Sequence, residues 1–196
     1  NLAVIAGGLS VGIGFGMQTI VNNFLSGLIL IFSRTLHEGD VIDVGNLQGV
    51  VRKISVRATT VETFDNAIIF VPNSEFVSNR LINWTRNGRI VRREVAIGVA
   101  YGTDPKLVER LLVEVAQSVP QIVRRPQPFV LFMDFADSTL NFVLRYWSDI
   151  GTATDAASAI RHRIVEVFAE HQVEIAFPQL DVHVIPQTPS LTRAEG

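Results

Sequence analysis

Residues 1–33, NLAVIAGGLSVGIGFGMQTIVNNFLSGLILIFS, contain no Asp, Glu, Lys or Arg, in a chain of 196 residues that carries 17 basic and 19 acidic side chains. A hydrocarbon core of about 30 Å takes roughly 20 apolar residues in helix, so this leader is too long for one simple span. Gln18, Thr19, Asn22 and Asn23 divide it into an apolar piece over Leu2–Met17 and a second over Phe24–Phe32. A signal peptide would open on basic residues and close on a small-residue cleavage site, and neither is present. The stretch therefore reads as membrane helix rather than as the buried helix of a soluble protein.

A helical wheel at about 100° per residue sorts the first piece by size. Val4, Val11 and Phe15 fall within about 40° of one another. Gly8, Gly12 and Gly16 flank that stripe on one side, and Gly7, Ser10 and Gly14 on the other. Leu2, Leu9, Ile13 and Ile20 cover the back. Small residues let membrane helices approach closely, and two small faces imply two neighbours. A ring of identical helices would meet this pattern, its bulky stripe forming a hydrophobic constriction that stops ions by dewetting. An ordinary bundle whose glycines merely permit tight packing meets it too. The string GIGFG is not a dinucleotide fingerprint, because the last glycine of G-x-G-x-x-G would fall on Met17 or Thr19. Arg34 follows the second apolar piece, which places the residues after it on the cytoplasmic side. Gly27, or the polar cluster before it, is where a kink between two helices is expected.

Charge is segregated along the chain. The net formal charge of −2 argues against a nucleic-acid-binding protein, since phosphate binding runs on excess Lys and Arg. With no cysteine, disulfide frameworks, thiolate nucleophiles and Cys-ligated zinc are all excluded. The chain opens on Asn with apolar sequence from its second residue, and is read as a fragment whose start is missing.

After His37 the pattern turns to short β-branched runs punctuated by Gly39-Asp40, Gly45-Asn46, Asp65-Asn66 and Pro72-Asn73. This predicts a small β barrel of about five strands over residues 34–88, closed by a run near Leu81 to Trp84. Over residues 89–186 the expected order is strand, helix, strand, strand, helix, strand. The strands are IVRREVAIGVAY, FVLFMDFA, LNFVLRYW and DVHVIP; one helix starts at Asp104-Pro105 and the other is capped by Thr154. That order suggests a split βαβ α+β sandwich, with a disordered tail over 187–196.

Enzyme signatures are missing: there is no G-x-S-x-G, P-loop, H-E-x-x-H or EF-hand loop. Asp134 and Asp137 read as turn residues, His162 and His171 do not share a helix face, and His183 reads as a strand residue facing water. Neither a catalytic nor a metal site is expected, and no cofactor. Arg52, Lys53 and Arg57 form the densest basic cluster. A membrane-tethered ring scaffold binding RNA or protein through the β barrel is the alternative they leave open, a solvated strand edge the simpler reading.

The run GIGFGMQTIVNNFLSGLILIFSRTLHEGDVIDVGNLQGVVRKISVRATTVETFDNAIIFVPN, followed by NRLINWTR, IGVAYGTD and FPQLDVHV, resembles the small-conductance mechanosensitive channel family over nearly the whole chain. Its ordered landmarks are Gly39-Asp40, Pro72-Asn73, Asn83-Trp84 and Tyr101-Gly102. The resemblance implies a homoheptamer in a bacterial inner membrane. Residues 1–33 would supply a kinked pore-lining helix and an interfacial helix, above a Sm-like β domain and an α+β vestibule domain. Opening under membrane tension would release ions and small solutes in hypo-osmotic shock. The family's two pore-sealing leucine rings, four residues apart, fall on Val11 and Phe15. Its helix-break glycine falls on Thr19, after Gln18, with Gly27 as the other candidate. The wheel and the resemblance thus select the same two constriction residues.

Overall fold

A computed structural model describes residues 2–180. The expected final strand, DVHVIP, with His183, and the tail over 187–196 lie outside the described residues. The chain divides into two compact units, one of residues 1–91 with 149–153, the other of residues 92–148 with the remainder.

The first unit opens with α1, Leu2–Ser33. It is one continuous helix of 32 residues, about 48 Å long at 1.5 Å per residue, so no break separates the two helices expected on either side of Gln18, Thr19 or Gly27. Five strands follow: β1 Val41–Val44, β2 Leu47–Ile54, β3 Ala58–Thr63, β4 Ile68–Pro72 and β5 Leu81–Asn83. They form one sheet in the order β4-β3-β2-β1-β5, with β4 and β5 at its edges. Each pairing along it is antiparallel. Gly45 sits at φ +62° in the β1–β2 turn, a left-handed conformation that glycine adopts without steric cost. A short helix unforeseen in the sequence, α2 Asn73–Ser78, connects β4 to β5.

Ile42, Val44, Val51, Val61, Val71 and Phe76 form the core of this unit, and Leu30 of α1 and Leu36 of the linker complete it. Each such side chain removed from water contributes about 1.5–3 kcal/mol. A second small cluster joins Val41, Val91 and Ile150. Arg89 fastens the returning segment 149–153 there, with Nε and Nη2 donating to the two Asp149 carboxylate oxygens at 2.9 and 3.1 Å. The Ile150 amide donates to the Arg89 carbonyl at 2.9 Å.

The second unit is built on β6 Ile90–Val99, α3 Pro105–Ser118, β7 Phe129–Phe135, β8 Leu140–Asp149 and α4 Ala153–Glu170. Its sheet order is β6-β8-β7. Strand β8 alternates strictly between buried and half-buried positions, burying Leu140, Phe142, Leu144, Tyr146 and Ser148, the period-two signature of a sheet with one face on a core. Asp104 caps α3 by accepting the Lys106 amide at 2.9 Å, with Pro105 at the first helical position. Helix α4 starts at Ala153 rather than after a Thr154 cap, because Asp149 caps a 3-10 turn over Ile150–Thr152 that leads into it. Ile160, Ile164, Val167 and Phe168 are its buried face, as their spacing requires. Beyond α4 the chain returns against β6: the Ala100 amide donates to Glu174 O and the Ala176 amide to Gly98 O, at 3.0 and 3.1 Å.

Candidate functional site

Helix α1 changes environment part-way along its length. Every position from Ile5 to Asn22 is exposed, whereas Asn23, Ser26, Gly27 and Leu30 are buried at i, i+3, i+4, i+7. The exposed residues from Ile5 to Asn22 span about 27 Å, close to the thickness of a hydrocarbon core. The helix is therefore an apolar shaft of membrane length whose foot is packed on the β domain.

Val11 and Phe15 lie one turn apart on that shaft, 59% and 75% exposed, and share one shallow concavity with Gly14 and Gln18. A methyl group added at Gly7, Gly8, Gly12, Gly14 or Gly16 would meet no atom within 4 Å. The Ser10 hydroxyl donates to Ala6 O at 2.8 Å and is satisfied within the helix. Nothing among the described residues of the chain thus requires small residues there.

Gly27 is the opposite case. A methyl group on it would collide with the Val56 carbonyl and stand 2.5 Å from Asn73 Nδ2. This glycine gives the β2–β3 turn room to lie against the helix, which is why it falls inside a regular helix rather than at a bend. Asn73, fully buried, holds the contact together. Its Nδ2 donates to Ser55 O at 2.8 Å and its Oδ1 accepts from Thr59 Oγ1 at 2.9 Å. Asn23 completes the junction from α1: its Oδ1 accepts the Ser74 amide at 3.0 Å, capping the first turn of α2 from another element. Its Nδ2 donates back to Thr19 O at 3.0 Å. Sequence reasoning used Asn23 only as a polar interruption and Pro72-Asn73 only as a turn. The usable signal was an amide in a charge-free helix, a costly group to bury without a partner.

A second polar knot ties the α1–β1 linker to the end of β5 and the segment after it. Asp40 Oδ2 accepts the His37 amide at 2.9 Å and Asn83 Nδ2 at 2.7 Å, and Oδ1 accepts Thr85 Oγ1 at 3.3 Å. Arg86 Nη1 reaches His37 Nδ1 at 3.0 Å. Gly39-Asp40 and Asn83-Trp84, two separated landmarks in the sequence, are thus neighbours through the Asp40 carboxylate.

The remaining candidates carry no site. Arg52 is paired with Glu62 across β2 and β3, which holds the Glu62 carboxyl below its ordinary range and removes one charge from the Arg52, Lys53, Arg57 cluster. Asp134 accepts Asn141 Nδ2 at 2.7 Å on the β7–β8 pair. His171 Nδ1 lies 3.0 Å from Val167 O at the end of α4. Among the described residues no three His, Cys, Asp or Glu side chains converge as metal ligands would.

An apolar membrane-length helix footed on a five-stranded β domain, with an α+β unit after it, is the MscS-like fold. It superposes on the closed-state crystal structure of Helicobacter pylori MscS with a TM-score of 0.87 and 26% identity, over 95% of this chain and 74% of that one. The family profile for the mechanosensitive ion channel beta-domain matches residues 19–86, and that for the MscS C-terminal domain matches residues 94–175. The chain belongs to the MscS family of mechanosensitive channels. It is 45% identical over 177 residues to an uncharacterized MscS family protein of Haemophilus influenzae, and 39% identical over 185 residues to the mechanosensitive channel MscK of Escherichia coli. These matches take in 90% and 94% of this chain but 16% of each relative's length.

Proposed function

We propose that this chain is the pore-lining and cytoplasmic portion of a tension-gated channel subunit, assembled as a homoheptamer in a bacterial inner membrane with the residues after Arg34 in the cytoplasm. Val11 and Phe15 form its hydrophobic gate, and Gly7, Gly8, Ser10, Gly12, Gly14 and Gly16 pack neighbouring pore helices. A Sm-like β domain and a split-βαβ vestibule domain lie below the gate. Opening under membrane tension passes ions and small solutes in hypo-osmotic shock.

The observation that carries this reading is the contrast among glycines on one helix. Gly27 has its reason inside the chain, while the five upstream meet nothing within 4 Å; close approach to helices of other subunits gives them theirs. A shaft free in lipid above a foot fixed to the β domain moves most readily at the border between the two. Gln18 and Thr19 lie at that border, and there Asn23 already draws on the Thr19 carbonyl and competes with the helix ladder. Opening accordingly swings the gate about residues 18–23, with Gly27 staying seated.

The test is patch recording of the complete protein carrying Phe15→Ser or Val11→Ser. A polar ring wets more readily, so either change lowers the opening tension or leaves a standing leak. Unchanged thresholds in both would remove these residues from the gate.

A further inference from the structure

The knot around Asp40 contains an imidazole, His37, on the linker that joins the foot of α1 to β1, and its Nδ1 can hold either a lone pair or a proton. We propose that His37 is a proton-operated exchange contact: neutral, it holds Arg86; protonated, it releases Arg86 and turns to Asp40. A guanidinium can only donate hydrogen bonds, so the 3.0 Å contact from Arg86 Nη1 requires a lone pair on His37 Nδ1. The ring is therefore neutral in this arrangement, with its proton on Nε2. Adding a proton at Nδ1 places donor against donor and cation against cation, and the Arg86 contact breaks.

The same nitrogen is 3.8 Å from Asp40 Oδ2, so the new proton has an acceptor at hand. Asp40 is only 14% exposed, while His37 at 47% is open to solvent protons. The other charged groups facing the imidazole are Arg34 and Glu38, which line one cavity of about 440 Å³ with His37, Ile31, Leu36 and Ile54. They carry opposite charges, and neither forms a hydrogen bond or ion pair with the ring in this arrangement, where the contacts of Nδ1 are Arg86 and Asp40. That Asp40 oxygen already accepts the His37 amide and Asn83 Nδ2. The imidazolium competes with Asn83 for it, and both ties from the linker to the end of β5 and the segment after it weaken together on acidification.

The proton exchange stands on this geometry alone. Its consequence for gating, a threshold that depends on cytoplasmic pH, rests on the channel reading above. The experiment has two readouts on the complete protein. In the first, histidine is labelled with ¹⁵N, the His37 signal is assigned by its loss in His37→Asn, and its tautomer is read at pH 8. The Nε2–H form is expected, with loss of that preference in Arg86→Met. An Nδ1–H form in the unaltered protein, or no response to Arg86→Met, overturns the exchange. In the second, opening tension is recorded at cytoplasmic pH 8 and pH 5.5. A shift in the unaltered protein that disappears in His37→Asn, whose side-chain oxygen accepts from Arg86 at either pH, supports the device, and the same shift in both proteins overturns it. Absence of tension-activated current at any pH refutes the channel reading instead, and the tautomer result then decides the exchange by itself.

Discussion

Replacing Gly27 with alanine tests the junction between helix and β domain, because the added methyl has one possible position and the atoms in it are known. It would overlap the Val56 carbonyl and stand 2.5 Å from Asn73 Nδ2 and 2.9 Å from Val56 C. Two of the three obstacles are backbone and cannot rotate away. The third is an amide already committed to Ser55 O, on a residue that also accepts from Thr59. Overpacking of this kind costs about 1–3 kcal/mol, and a hydrogen bond lost from Asn73 adds about 1 kcal/mol. Alanine's better helix propensity returns up to about 1 kcal/mol. The balance is a net loss of about 1–4 kcal/mol, or a fall in Tm of about 2–16 °C for a chain of this size. Thermal unfolding of the detergent-solubilised protein, followed by circular dichroism, reads the change. Gly12→Ala is the contrast: its methyl meets nothing in the same chain, so any change it makes reports on contacts between subunits. A Gly27→Ala protein as stable as its parent would refute the argument that this glycine exists to admit the β2–β3 turn.

Gly12→Leu fills a position that the ring reading reserves for a neighbouring helix, so it should disturb assembly or widen the pore; native mass measurement and conductance check this, and normal values for both would count against the ring. The Tyr146 hydroxyl and Ser148 Oγ are buried without a hydrogen-bond partner among the described residues. Tyr146→Phe should therefore be neutral or stabilising by up to about 1 kcal/mol in thermal unfolding, and a clear loss would expose a missed partner. Arg89, and after it the Gly151 amide, hold the Asp149 carboxyl below its ordinary range. Because the folded state binds that proton less readily than the unfolded one, the stabilisation is present above the ordinary carboxylate range and is lost as pH falls through the lowered value. Asp149→Asn should lower the melting temperature at pH 7 and narrow the gap between pH 7 and pH 4, while an unaltered gap would remove Asp149 from the acid response. Asn23→Ala leaves the Ser74 amide uncapped and should cost about 1 kcal/mol, seen as faster amide exchange in α2; unchanged exchange would mean that α2 does not depend on the cap.

Periodicity and punctuation carried most of the architecture. The apolar leader, five short strands with turn residues between them, and two amphipathic helices, the first capped by Asp104, are all local patterns, and the order of those elements follows from them. The landmarks Gly39-Asp40 and Asn83-Trp84 were visible as motifs, but the carboxylate that joins them was not, since nothing local connects positions 40 and 83. The contact that Gly27 makes is hidden for a similar reason. A glycine in a helix looks like a flaw from within its own segment, and only the β2–β3 turn, some thirty residues on, explains it. Helix α2 escaped notice because NSEFVS is too short to display a period. Val11 and Phe15 stand out on the wheel, and the face on which they sit is exposed in this chain, so their role as a gate rests on the ring proposed above.

The pairing of Arg89 with Asp149, and the packing of Ile150 against Val41 and Val91, bears on how this protein can be dissected or recombined. The chain leaves its first unit after residue 91, comes back for 149–153 and departs again. A clone stopped at residue 91 would lack the Ile150 side chain, worth about 1.5–3 kcal/mol of burial, along with the anion that faces Arg89. Grafting this β domain onto another pore therefore means transplanting two stretches of gene, or stitching residues 149–153 back through a short artificial tether, instead of exchanging one cassette.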